Sequence, residues 1–145
     1  MQSFTEAEKE AIEKEIKDQF NQLISAINQL NAGAWSEYYS KDEFLSTIAN
    51  TIAGTDYYAA RSAWVDSITC YFSMRERQHL EPLEVRVAAL TPNLALMTSQ
   101  EKTEMWLKTG GNIESTHVFT MIWKKEQEGW KILHSHESWV DEQVN

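Results

Sequence analysis

The sequence has one cysteine, two prolines, five glycines and only 13 Lys and Arg against 22 Asp and Glu. A lone Cys70 cannot form an internal disulfide, and its place in an amphipathic helical stretch predicts a buried, inert thiol. The formal net charge of -9 opposes a phosphate backbone, which binds clustered Lys and Arg, so no nucleic-acid partner is expected. No apolar run approaches the roughly 20 residues of a membrane span, which argues against a membrane partner. The opening "MQSFTEAEKEAIEKEIKDQF" carries acids where a signal peptide needs a basic start and an apolar stretch, so a cytoplasmic location is expected. Gly110-Gly111 reads as a hairpin turn with no phosphate-binding helix behind it, and no Ser-His-Asp or Cys-His spacing signature is present.

What is present is the material of one core. Apolar residues make up 42% of 145 positions and six are tryptophan, which fits a single domain over residues 3–141. Thr5 followed by Glu8 forms a capping-box pattern. Ile12, Ile16, Phe20, Leu23, Ile27 and Leu30 then recur at helical spacing, predicting a long helix over 5–31 that Asn31-Ala32-Gly33 stops. "AWSEYYS" predicts a short aromatic second helix, and "EFLSTIANTI" (43–52) a short strand or hairpin. Gly54-Thr55-Asp56 supplies turn and capping chemistry before a third helix whose apolar face is Tyr57, Ala60, Trp64, Ile68 and Tyr71 or Phe72.

From Pro82 the period changes to two. "LEVRVAAL", "NLALMTSQEKTEMWLK", "ESTHVFTMIWKK" and "GWKILHSHESW" predict four antiparallel strands joined by tight turns, an α+β layout of helices first and a meander afterward. A sheet with one wet face alternates apolar with polar, and these strands do not alternate cleanly. His117, Phe119, Met121 and Trp123 share one face while Val118 and Ile122 share the other. The helices can cover one face only, so a second subunit is expected on the other, most simply in a two-fold homodimer.

His134 and His136 lie on one face of the last strand, as two ligands of one metal would, but two ligands do not make a site. No metal or other cofactor is expected, and both histidines are read as packing residues that bond nearby backbone or hydroxyls. Tyr39, Trp64, Trp106 and Trp123 are candidates to line a pocket, although aromatics at these spacings also build cores.

A long helix ending in "LNAG", the run into "YYSKDEF", the "G-x-D" before the third helix, Trp123 and the closing "GWKILHSHES" resemble the nuclear transport factor 2-like superfamily. The likeness covers nearly the whole chain and is nearest to the SnoaL-like branch and the calcium/calmodulin-dependent protein kinase II association domain. It implies a cystatin-like cone: a curved antiparallel sheet wrapped around the long N-terminal helix, two further helices, a pocket at the wide end, and dimerisation through the convex sheet face. It also places His134 and His136 on that convex face and His117 on the pocket face.

The superfamily holds isomerases and cyclases, binding modules and association domains, so fold alone does not give function. The positions that match the oxyanion tyrosine and general base of ketosteroid isomerase are Ala26 and Thr47, neither of which has the required chemistry. The arginines that line association-domain pockets correspond to Met121 and Glu137, with Thr98 a third position. Arg86 is the one arginine in the four expected strands, and sequence leaves its direction open. The resulting pocket set is Tyr39, Trp64, Thr98, His117, Phe119, Met121 and Glu137. His117 and Glu137 are the candidates for acid–base work as a pair, Glu137 with a raised pKa if buried. A carboxyl among aromatic walls favours a neutral or cationic small-molecule ligand. Binding of such a ligand, without assured catalysis, is the expected function. An association domain, or an isomerase or cyclase acting on a small hydrophobic substrate, are the alternatives.

Overall fold

The computed structural model describes residues 3–51 and 54–144. Helix α1 spans Glu6–Asn28, α2 Ala32–Ser36 and α3 Arg61–Ser73. The strands are β1 (Ser46–Thr51), β2 (Gly54–Tyr58), β3 (Arg75–Thr91), β4 (Leu94–Leu107), β5 (Asn112–Glu126) and β6 (Gly129–Val144). They form one curved sheet in the order β2-β1-β6-β5-β4-β3. All neighbours are antiparallel except β1 and β6, which pair in parallel, so the sheet is mixed rather than wholly antiparallel. The architecture is the expected cone, with α1 held in the concave face.

The start of α1 follows the expected cap, as Thr5 Oγ1 accepts from the Glu8 N–H at 3.1 Å. Its end differs. The chain turns at Leu30, a non-glycine residue at φ 54°, rather than at Gly33, which lies inside α2. Asn31 N–H donates to Ala26 O and Leu30 N–H to Ile27 O, both at 3.0 Å, closing the helix with a Schellman pattern. Leu30 packs against the core, and that apolar contact holds a side chain where glycine is usual.

Of the short strand or hairpin expected over 43–52, the strand is present as Ser46–Thr51, and its antiparallel partner is the later Gly54–Tyr58. Residues 52 and 53 lie outside the described residues. Tyr57 therefore belongs to β2 and is exposed, and α3 begins only at Arg61. Helix α3 turns Trp64, Ile68 and Phe72 inward. Cys70 sits two residues, about 200° around the helix, from Ile68 and is exposed, not buried as expected.

The long strands extend beyond their sequence signals. β3 begins at Arg75, seven residues before Pro82, and bends through register shifts near Arg75, Pro82 and Ala89. In β6 one residue is extra: Trp123 pairs with Ile132 and Ile122 with His134, leaving Leu133 between them. Trp130 and Ile132 thus face the core before the shift, and Ser135 and Glu137 after it. Trp130 and Ile132 share the core side with Glu137, although simple alternation sets them on opposite faces.

Ile16, Phe20 and Leu23 of α1 are buried against Met97, Phe119, Met121, Trp123 and Ile132 of the sheet. Phe20 is wholly buried and meets Phe119 edge-on at 6.4 Å. Phe20→Ala removes this contact and leaves a cavity that a curved sheet cannot close, at a cost of about 3–5 kcal/mol. Urea unfolding should show this as a lower midpoint with an unchanged slope.

Candidate functional site

Helix α1 ends before the wide end of the cone, and a cavity of about 360 Å³ remains there. Its aromatic wall comes from three sources. Helix α2 and the turn after it bring Trp35 and Tyr39, α3 brings Trp64 and Phe72, and the sheet brings Phe119 and Trp139. Trp35 packs against Tyr39 at 4.8 Å and Trp64 at 5.5 Å, so one indole joins both helices to the wall.

The polar side of the cavity contains Glu137, Arg75, Gln78 and Thr103, with Asp56 exposed at its margin. Glu137 is 8% exposed and accepts from Trp139 Nε1 at 3.0 Å. Burial pushes its carboxyl up to about 7, against the pull of the Trp139 hydrogen bond and the Arg75 charge. Arg75 Nη1 donates to Gln78 Oε1 at 2.6 Å, and its guanidinium lies near the rings of Tyr71 and Phe72. Burial lowers the Arg75 pKa, opposed by Glu137, yet an arginine so placed remains protonated. Gln78 is anchored in turn, with Nε2 donating to Ile27 O at 2.6 Å. Burial raises the pKa of Tyr39, and the Glu137 charge adds to the effect.

Tyr39, Trp64, Phe119, Met121 and Glu137 all line the cavity. Thr98 does not: it is exposed on the outer face, because Met97 and Ser99 take the inward positions of β4. His117 points inward but lies outside the lining, stacked on Trp139 at 3.6 Å and bonded through Nε2 to Thr103 Oγ1 at 2.6 Å. Burial lowers its pKa to about 3, so it is neutral. The expected His117–Glu137 pair does not form, since β5 and β6 set His117 opposite Trp139 and Glu137 opposite Phe119. Of the other aromatic candidates, Trp123 is fully buried in the core, and Trp106 lies under the Arg77 guanidinium at 3.7 Å, outside the cavity lining.

His134 and His136 bond strand β1. His134 Nδ1 lies 2.8 Å from Ser46 Oγ, and His136 Nε2 lies 3.0 Å from Asn50 Nδ2. Among the described residues no group of three or more His, Cys, Asp or Glu is placed to hold a metal. Arg86 is exposed and pairs with Glu84 at 2.8 Å, away from the cavity. Ala26 and Thr47 are both buried outside the lining, Thr47 bonded to Ser135 Oγ at 2.8 Å. Arg75, Gln78 and Trp139 were missed as site residues. The signal was faint: Gln78 and Leu80 continue the inward period of β3 backward through "RERQHL", a stretch whose charge reads as a loop.

The buried carboxyl sets a dependence of stability on pH. The folded pKa of Glu137, about 7, exceeds its ordinary 4.5, so the native state holds a proton that the unfolded state has lost. Its stabilising share is present at low pH and declines as pH rises from 4.5 to about 7. His117 works in the opposite direction, its share being lost as pH falls from 6.5 toward about 3. Glu137→Gln should flatten the decline, and at about pH 8 urea unfolding should show the variant roughly 1–3 kcal/mol more stable than wild type.

A family model described as a SnoaL-like domain matches residues 16–142. A search of curated proteins finds no match. Among solved structures, hexachlorocyclohexane dehydrochlorinase LinA-type3 from Novosphingobium barchaimii LL02 superposes with a TM-score of 0.75 at 10% identity, over 97% of this chain and 94% of that one. A provisionally assigned dehydratase of the NTF2-like family from Streptomyces avermitilis gives 0.74 at 15% identity, covering 94% and 98%. A provisionally assigned calcium/calmodulin-dependent protein kinase II association domain from Xanthomonas campestris gives 0.71 at 15%, covering 86% and 85%. Identities this low show a shared fold and nothing finer. The family match over most of the chain makes this protein a member of the SnoaL-like family, with a cone fold shared with the NTF2-like dehydratase structure.

Proposed function

We propose that this protein binds a small, largely apolar and uncharged molecule at the wide end of the cone, with the ligand's polar group against Glu137. The observation that carries this reading is a cavity of about 360 Å³, walled by aromatic rings, that holds one buried carboxyl and one arginine among the described residues. Its size falls in the range of small-molecule sites. Arg75 changes the ligand class expected from sequence: with a guanidinium in the same wall as Glu137, a cation no longer gains from an uncompensated carboxylate. A neutral hydrogen-bonding molecule meets no desolvated charge of its own sign.

A second reading, proton-transfer catalysis, is favoured by the Glu137 carboxyl held at about 7, near the range where one group serves as both acid and base. The isomerase-like positions Ala26 and Thr47 supply neither donor nor base, so such chemistry falls to Glu137. The reading includes a cytoplasmic homodimer. Val118 and Val140 are 47% and 60% exposed on the convex side of neighbouring strands β5 and β6, an apolar surface suited to a second copy. A ring of more than two copies would favour the association-domain alternative.

Tryptophan fluorescence titration with matched aromatic compounds, one an alcohol, one an amine and one a carboxylate, tests the ligand class. The alcohol should bind at least about tenfold more tightly than either ion, a difference of roughly 1.4 kcal/mol. Tighter binding of the amine or the carboxylate would overturn the neutral-ligand reading. Sedimentation equilibrium should give a dimer, shifted toward monomer by Val118→Lys, and a monomeric wild type would remove the interface.

A further inference from the structure

Behind Trp139 lies a second polar cluster that ligand binding does not use. Glu101 is fully buried on the inner face of β4, where Ser99 Oγ donates to its Oε1 at 2.7 Å. Its Oε2 is buried with no hydrogen-bond partner among the described residues. His117 stands directly opposite on β5, and its buried Nδ1 likewise has no partner among them. Ser115 Oγ, opposite Thr103, is in the same condition. Opposed residues of an antiparallel pair hold their Cβ atoms about 4.5–5.5 Å apart, so the carboxyl and imidazole are neighbours that do not bond each other directly.

A buried polar atom left unpaired is destabilising, and native interiors meet such groups with ordered water. The remaining contacts of the cluster lead to the cavity. His117 Nε2 is 2.6 Å from Thr103 Oγ1, and Thr103 lines the cavity wall. We propose that a buried water joins Glu101 Oε2 to His117 Nδ1, and that Glu101, this water, His117 and Thr103 form a proton path opening on the cavity, separate from Glu137.

The path works as follows with His117 in its Nε2–H tautomer. The Glu101 carboxyl gives its proton to the water, and the water gives one to Nδ1. Nε2 releases its proton to Thr103 Oγ1, and Thr103 passes its hydroxyl proton to a basic atom of the bound molecule. The molecule gains one proton and Glu101 becomes a carboxylate. The water and the hydroxyl are regenerated, and His117 ends as the Nδ1–H tautomer. Burial supplies the starting state: it raises the Glu101 carboxyl to about 8, helped by the charge of Glu137, and keeps His117 neutral. The carboxyl therefore still holds its proton at neutral pH.

The proposal depends on the ligand reading only for the group that receives the proton, so it is tested on ligand-free protein. A high-resolution crystal structure should show a water within hydrogen-bonding distance of both Glu101 Oε2 and His117 Nδ1. Nitrogen-15 NMR of the histidines should show His117 as the Nε2–H tautomer. Thr103→Val should shift it toward Nδ1–H, and Thr103→Ser should restore it. Infrared difference spectra followed over pH should show a protonated-carboxyl band that persists to higher pH than a free glutamic acid, that Glu101→Gln removes and that Glu137→Gln leaves. A dry, well-ordered cluster, or an Nδ1–H tautomer in the wild type, would overturn the proposal even if no variant folds.

Discussion

The burial of one face of α1 in the concavity of the sheet is the constraint on which the rest of the molecule depends. Ile16, Phe20 and Leu23 are buried in one core cluster with Phe119, Met121 and Trp123. The helix stops at Leu30, where the left-handed turn redirects the chain. Beyond that point the sheet continues without a helix to fill it, and α2 and α3 wall the opening instead of plugging it. The cavity is thus a consequence of helix length against strand length, and Ile27, from the last turn of α1, forms part of its floor.

The chemistry of the site follows from burial more than from pairing. Glu137, Glu101 and His117 all have pKa values displaced first by loss of water, with neighbouring charges and hydrogen bonds acting second. Each is therefore held toward its neutral form, which an apolar interior tolerates and a charged form does not. Trp139 divides the two regions. One face of its ring stacks on His117, its N–H binds Glu137, and its side chain lines the cavity. The indole thus keeps the cavity carboxyl apart from the imidazole that sequence paired with it.

Much of the fold was legible because two periods are written plainly in the chain. The helical spacing of Ile16, Phe20 and Leu23, and the twofold spacing of Phe119, Met121 and Trp123, both reappear as buried faces. The cavity lining was partly legible for the same reason: Phe119, Met121 and Glu137 sit on inward positions of strands bounded by plain turn signals. Thr98 failed because its neighbours Met97 and Ser99 take the inward positions, and transfer from a distant relative can miss register by one residue. Arg75 and Gln78 were illegible because their segment is polar, and polar alternation looks like loop until a partner strand pairs with it.

By itself, then, the sequence determined the α+β order, the long amphipathic helix, the meander, the absence among the described residues of a helix long and apolar enough to cross a membrane, and the family. Only the tertiary structure decided which side chains meet. Alternation along a strand sets which residues share a face, but it does not say what covers that face or where one extra residue reverses it. The register shift at Leu133 kept both Trp130 and Glu137 inside, and pairing with β4 brought Arg75 to the cavity. The stack on Trp139 left His117 behind the wall instead of in it. These outcomes rest on contacts between residues far apart in the chain, and local periodicity carries no information about them.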